Sequence, residues 1–260
     1  MNILDQIIES KKISLNQKKE AVSIKKMEAS VFFNRNCESL VKRLGKTDTS
    51  GIIAEFKRRS PSKGIINDKA IIENVVRAYE FCGAAGISVL TDEEYFGGSS
   101  RDLEKARETV SIPLLRKDFM IDEYQVVEAK AMGADVILLI ASCLSPAEVK
   151  RLAGAAKNLG LEILLELHEE KELEHICDDT ALIGINNRNL KTFDVDIERS
   201  LRMAEKIPAD KIKIAESGIN SVENVRLFKE NGFKGFLIGE FFMKEKDPGI
   251  AFAEFVTKLK

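Results

Sequence analysis

From residue 51 onward the chain alternates two textures. Short apolar, β-branched runs occupy Ile52–Phe56, Ile87–Leu90, Ile112–Leu115, Val136–Ile140, Leu161–Leu165, Ala181–Ile185, Ile212–Ala215 and Gly235–Ile238. Their length and lack of polar alternation predict strands buried on both faces, as in a parallel sheet. Between them, amphipathic stretches with helical spacing begin near Lys69, Arg101, Glu123, Ser145, Glu169, Asp196 and Ser221, with a last one near Gly249. Some open with capping chemistry. Ser145-Pro146-Ala147-Glu148 places Ser at the N-cap, Pro at the first helical position and Glu at the third, and Ser221-Val222-Glu223-Asn224 begins in a similar way. Eight strand–helix units fit in the remaining chain at roughly 26 residues each, the period of a (β/α)8 TIM barrel. An open doubly wound sheet would place a G-x-G-x-x-G fingerprint after its first strand. Here that strand runs into EFKRRSPSKG instead.

The first 48 residues have a different pattern. Leu4, Ile7, Ile8, Val22 and Ile24 supply apolar positions among Lys, Glu and Gln, which predicts helix. A second short helix is predicted over 31–44, stopping at Gly45. No Gly/Ser-rich or Pro-rich linker interrupts the chain. Residues 1–260 therefore read as a single barrel domain, with 1–48 as a helical N-terminal extension.

Composition narrows the function. The 260 residues carry 40 Lys plus Arg against 42 Asp plus Glu, a net charge of −2, and 44% are hydrophobic. That excludes intrinsic disorder, and a pI near 5.9 offers no global basic field for nucleic acid. The longest nearly apolar run, 136–144, is about half the length of a membrane helix. Asp5 and Glu9 stand where a signal peptide would be apolar and basic, so a cytoplasmic protein is expected, neither membrane-bound nor nucleic-acid-binding. Cys37, Cys82, Cys143 and Cys177 are scattered, and only His168 and His175 could join them. No zinc-like cluster results, and reduced, packed thiols are expected.

Barrel active sites lie at the carboxyl ends of the strands, so the residues that end each run matter most. Side chains alternate faces along a strand. In Ile53-Ala54-Glu55-Phe56-Lys57, Ala54 and Phe56 suit packing against helices, which turns Glu55 and Lys57 inward. The same parity groups Leu115, Lys117 and Phe119. The fifth, sixth and seventh runs end in Glu166, Asn186 and Glu216. Lys and Glu are rarely buried unless paired, so six polar residues from five strands converging on one rim point to acid–base chemistry. Such groups shift one another's pKa: a partly desolvated lysine can become a proton donor near neutral pH, and a buried glutamate can hold a proton. This chemistry needs no metal or organic cofactor. A Schiff-base lysine at position 57 or 117 is the alternative.

An anion site is expected beside that rim. Ser217-Gly218-Ile219-Asn220 and Gly239-Glu240 follow the seventh and eighth runs, where barrels often hold phosphate. Ser60-Pro61-Ser62-Lys63-Gly64 adds hydroxyl and amide donors, and Arg188 suits a second anionic group.

Residues 53–64, IAEFKRRSPSKG, resemble the signature of the indole-3-glycerol phosphate synthase family. The likeness continues through Leu115-Arg116-Lys117-Asp118-Phe119, Ile185-Asn186-Asn187-Arg188 and Ala215-Glu216-Ser217-Gly218-Ile219, and the N-terminal extension is typical too. It implies a cofactor-free reaction on 1-(2-carboxyphenylamino)-1-deoxyribulose 5-phosphate. The ring carbon bearing the carboxylate attacks the ribulose carbonyl, and carbon dioxide and then water depart, leaving indole-3-glycerol phosphate. By the same resemblance Lys117 is the general acid on the carbonyl oxygen and Glu166 handles the dehydration proton. Lys57 holds the substrate carboxylate. Glu55, Asn186 and Glu216 orient the lysines and the ribulose hydroxyls. Ser60, Ser217, Gly218, Gly239 and Glu240 match phosphate contacts, Phe96 and Phe119 match apolar walls beside the aromatic ring, and Leu190 lies in the loop after Arg188. The extension is expected to cap the barrel mouth.

The chain departs from the family pattern at Phe241, where Ser is frequent, at Asn189 in place of Asp, and at Glu123 in place of Pro. A side-chain phosphate contact at Phe241 is thereby excluded. The expected ligand is a phosphorylated small molecule and the expected assembly a monomer, with a homodimer open. The rival functions are another sugar-phosphate barrel enzyme, such as phosphoribosylanthranilate isomerase, and a non-catalytic phosphate-sensing barrel. The sensor would not explain the buried lysines and glutamates.

Overall fold

The computed structural model describes residues 3–46, 49–189 and 194–260. Eight parallel strands close into a barrel: β1 (Ile52–Phe56), β2 (Gly86–Leu90), β3 (Leu114–Lys117), β4 (Val136–Ile140), β5 (Glu162–Leu167), β6 (Leu182–Asn186), β7 (Ile212–Glu216) and β8 (Gly235–Ile238). Each pairs with its neighbours in sequence, and β8 returns to β1 with Ile53 opposite Leu237. Helices α4 (Ile72–Phe81), α5 (Ser100–Thr109), α6 (Glu123–Ala131), α7 (Pro146–Asn158), α8 (Ile197–Ala204), α9 (Val222–Glu230) and α11 (Pro248–Leu259) fill the connections, with short α10 (Glu240–Met243) after β8. After β5 the predicted helix is a six-residue 3-10 segment, Glu170–His175.

The alternation of strand side chains builds two cores. Ile52, Ala54 and Phe56 join the layer between sheet and helices. Ile53, Leu115, Leu138, Leu164, Leu182 and Ile214 fill the barrel interior. Glu55 and Lys57 follow Ile53 in parity, Lys117 follows Leu115, Glu166 follows Leu164, Asn186 follows Leu182 and Glu216 follows Ile214. The polar rim is thus the continuation of the inner apolar layer.

Several boundaries differ from expectation. The third strand starts at Leu114 rather than Ile112, because Pro113 has no N–H to give a ladder; its carbonyl accepts instead from Ile87 (2.9 Å). The predicted cap at Ser145 is present as a reciprocal capping box with Glu148. Asp122 caps α6, so Glu123 occupies the first helical position that a proline would suit.

The N-terminal extension divides its work. Helix α1 (Ile3–Ala21) buries Ile7 and Leu15, and α2 (Ile24–Glu28) buries Met27, while Ile24 is exposed. Lys11 on α1 pairs with Asp92 and Asp118, each at 2.8 Å, which places α1 at the carboxyl ends of the strands. The predicted helix over 31–44 shrinks to α3 (Leu40–Leu44). Upstream, Arg35 draws the chain onto the carbonyls of Gly133 and Ala134 and onto Asp135, and Ser39 caps α3. Leu40 and Leu44 join the interior core beneath the strand starts. Leu40 sits against Gly86 and Leu44 against Gly235. The extension therefore covers the mouth with α1 and plugs the opposite end with α3, whereas the sequence suggested a cap at the mouth alone.

Candidate active site

The mouth holds a cavity of about 460 Å³ lined by Glu55, Lys57, Lys117, Glu166, Asn186 and Glu216 together. Six residues from five strands meet there because each ends its strand on the inward parity. Lys57 Nζ lies 2.6 Å from Glu55 Oε1. Lys117 Nζ lies 3.1 Å from Glu166 Oε2 and 3.7 Å from Glu216 Oε2. Asn186 Nδ2 donates to Glu166 Oε1 (3.0 Å), and Asn186 Oδ1 accepts from the Arg188 backbone N–H (3.0 Å). Asn186 therefore orients Glu166 rather than a lysine.

Charge follows from this packing. Burial works against the Lys117 ammonium, but the carboxylates of Glu166, Glu216 and Glu55 outweigh it and raise its pKa above the ordinary lysine value. The expected drop toward neutrality does not occur, since three carboxylates rather than a cation face the lysine. Burial pushes Glu166 up, yet Lys117, His168 and Asn186 bring it well below the usual carboxylate range. Glu216 moves the other way: burial and the neighbouring Glu166 charge lift it well above that range. The site thus favours the ammonium of Lys117 and the carboxylate of Glu166, with Glu216 the carboxyl that more readily keeps a proton. Two adjacent carboxyls with pKa values pushed apart are the arrangement expected of an acid–base pair.

Lys117 is held from behind. Arg116, on the opposite face of β3, is the bulkiest fully buried side chain. It pairs with Asp118 (3.2 Å) and Glu128 and donates to the Gln125 carbonyl (2.9 Å) and Thr91 (3.1 Å). Asp118 in turn accepts from Lys11 and Thr91. Burial raises Asp118, but Lys11 and Arg116 overcome it and bring its pKa down to about 2.

The other wall carries Ser60, Arg188, Ser217, Gly218, Gly239 and Glu240. Ser217 has φ 65°, the one non-glycine residue at positive φ among the described residues, and Gly218 follows at φ 69°. Such a conformation is costly for a side-chain-bearing residue and recurs at ligand sites. Gly239 also has a steric reason: a Cβ there would overlap Glu55 Oε1, and one at Gly218 would overlap Val195. Arg188 donates to Ser62 (3.0 Å) and lies 3.4 Å from Glu240, which Lys63 approaches at 3.8 Å. Phe241 lines the cavity with its ring 5.2 Å from the Lys244 ammonium.

Phe96 and Phe119 face each other, with centroids 6.1 Å apart, on the side covered by Ile3, Leu4 and Ile7 of α1. Leu190 lies outside the described residues. Every other residue expected at the site lines this one cavity. Sequence reasoning missed His168, whose Nε2 is 3.1 Å from Glu166 Oε1. The parity that links Leu164 to Glu166 continues to His168, and that was the available signal. It also missed Gly184, where a Cβ would overlap Glu216. Among the described residues no group of three or more His, Cys, Asp or Glu side chains is placed to hold a metal ion.

Comparison with known proteins agrees with this geometry. The family model described as indole-3-glycerol phosphate synthase matches residues 4–255. The indole-3-glycerol phosphate synthase of Bacteroides thetaiotaomicron is 46% identical over 259 residues, covering 100% of this chain and 99% of that protein. The enzyme of the same name from Polynucleobacter asymbioticus is 41% identical, covering 97% and 98%. Among solved structures, a mutant tryptophan synthase alpha-subunit from Pyrococcus furiosus superposes with a TM-score of 0.61 at 16% identity, over 81% of this chain and 98% of that one. Thiamine phosphate pyrophosphorylase from Pyrococcus furiosus gives 0.61 at 18% identity, over 85% and 99%. At that identity the two structures show the barrel fold alone.

Proposed function

The chain belongs to the indole-3-glycerol phosphate synthase family, and from that premise we propose how its strand-end residues divide the reaction. The activity is that of a carbon–carbon carboxy-lyase of tryptophan biosynthesis. It converts 1-(2-carboxyphenylamino)-1-deoxyribulose 5-phosphate into indole-3-glycerol phosphate, carbon dioxide and water.

Lys117 donates to the ribulose carbonyl oxygen as the aromatic carbon attacks it, so the new hydroxyl forms without free oxyanion charge. The bond to the substrate carboxylate then breaks, its electrons return to the ring and carbon dioxide leaves. Glu166 removes the carbon-bound proton while Lys57, freed by the loss of the carboxylate, gives a proton to the hydroxyl, which departs as water. Lys57, paired with Glu55, grips the substrate carboxylate. Glu216, the more readily protonated of the two carboxyls, sits 3.7 Å from Lys117. Ser60, Ser217, Gly218, Gly239 and the backbone of Glu240 cradle the phosphate, and Phe96 with Phe119 flanks the aromatic ring. Arg188 serves the anionic end once substrate draws it from Glu240. Holding both ends folds the flexible ribulose chain onto the ring, a positioning contribution of several kcal/mol in barrier.

The observation that carries this reading is the 3.1 Å pairing of Lys117 with Glu166 inside the cavity. Incubation with the carboxyphenylamino substrate in the presence of EDTA tests it. Indole fluorescence should grow at the rate seen without chelator; its absence would overturn the cofactor-free assignment. Borohydride with substrate should trap no covalent adduct, and a trapped lysine would restore the Schiff-base route.

The same reading takes residues 1–260 as one domain, supported by Leu40 and Leu44 packing into the barrel interior. It takes the protein as a cytoplasmic enzyme of small-molecule biosynthesis, in keeping with its family, and as a monomer, with a homodimer as the alternative. Sedimentation at assay concentration tests the assembly.

A further inference from the structure

His168 immediately follows β5 and is 4% exposed, behind the cavity rather than on its lining. Its Nε2 is buried without an aligned hydrogen-bond partner and stands 3.1 Å from Glu166 Oε1, the nearest group it can serve. On its far side, Nδ1 lies 3.1 Å from Ser142 Oγ, which donates to Glu172 Oε1 (2.8 Å). The other oxygen of Glu172 accepts the backbone N–H groups of His168 (2.6 Å) and Glu169 (3.1 Å). Ser142 comes from the turn after β4 and Glu172 from the 3-10 segment after β5, so two connections converge on one ring.

Packing alone does not require this. A leucine would fill the space without burying two ring nitrogens that need partners. Hydrogen accounting adds a direction. A carboxylate oxygen only accepts, so a bare ring nitrogen at 3.1 Å would oppose lone pair to lone pair; Nε2 therefore carries the hydrogen. Ser142 has a single hydrogen: while it donates to Glu172, its oxygen can only accept from an Nδ1–H, and a bare Nδ1 would draw that hydrogen away from Glu172. Glu166 Oε1 then faces two donors, Asn186 and His168, and Oε2 is the oxygen left toward Lys117 to take up a proton.

We infer that His168 is a positioning residue for Glu166. Braced by Ser142 and Glu172, it pins Oε1 and thereby aims Oε2 for the proton transfer of the dehydration. This rests on the role proposed above for Glu166.

The test compares His168→Gln, His168→Asn and His168→Leu with Glu166→Gln in the full-length enzyme, reading kcat and KM separately. Gln extends an amide N–H to about the reach of Nε2, whereas Asn reaches only about as far as Nδ1. His168→Leu should lower kcat about tenfold or more, with KM within about twofold, because the substrate does not touch the ring. His168→Gln should restore kcat to within about threefold, and His168→Asn should not. If the Leu variant does not fold, the Gln–Asn pair decides. Unchanged kcat in His168→Leu, or equal impairment of the Gln and Asn variants, would overturn the inference while leaving Glu166 in place. Near-normal turnover in Glu166→Gln would instead remove the role of Glu166 itself.

Discussion

Glu216 Oε1 occupies the space that a side chain at position 184 would fill, since a Cβ added to Gly184 would overlap it. Gly184 lies on β6 itself, two residues before Asn186 on the same inward face, opposite Ile214 in the β6–β7 register. The glycine therefore exists for the carboxyl group beside Lys117. Gly184→Ala should displace Glu216, reduce kcat by about tenfold or more and leave the global fold intact. Circular dichroism with steady-state kinetics checks this; wild-type turnover would show that Glu216 need not sit where it does.

Lys117→Ala and Glu166→Gln should each cost about 10²–10⁴ in kcat, the range for removing a positioned proton-transfer group. KM should change far less, because Lys57 and the glycine loops still hold the anionic ends. Single-turnover indole fluorescence separates chemistry from product release. Near-normal rates in both variants would exclude the pair from the chemistry.

Glu216 also predicts a pH effect on stability. Its folded pKa lies above the ordinary value of 4.5, so its contribution is fully present below that value and is lost as pH rises toward the folded pKa. Glu216→Gln removes this titration. The variant should therefore melt higher than the parent at neutral pH, by about 2–4 °C, and the difference should vanish near pH 4. A parent–variant difference independent of pH would contradict a neutral Glu216.

Lys11 ties α1 to the loops after β2 and β3 through Asp92 and Asp118. Lys11→Met should raise KM about five- to tenfold with kcat little changed, since α1 supplies wall and cover rather than protons. Asp118 adds an acid-side signature. Its pKa is lowered from 3.8 to about 2, so its stabilisation is present above the unfolded value and is lost as pH falls through 2. Without Lys11 that stabilisation should be smaller and its loss complete at a higher pH in an acid-unfolding titration. An unchanged KM would mean that α1 only decorates the mouth.

The barrel was legible because eight apolar runs carry their own periodicity, and two of them, Val136–Ile140 and Gly235–Ile238, are observed with the bounds read from sequence. The rim was legible for the same reason: once Ala54 and Phe56 face the helices, Glu55 and Lys57 have one direction left. Residues that act through neighbours distant in sequence were not legible. Arg116 read as part of a motif, and nothing local showed that Glu128 and Asp118 would bury it. His168 read as an isolated histidine because Ser142 and Glu172 reach it only after folding. The shortened α3 depended on Arg35 finding Asp135, one hundred residues away in sequence.

The plug formed by Leu40 and Leu44 gives the barrel a floor. Substrate and products therefore enter and leave on the opposite side, where α1 lines the cavity. The closed end carries no traffic, so substitutions that tighten the packing around Leu40 and Leu44 should raise stability without altering the path of the reaction.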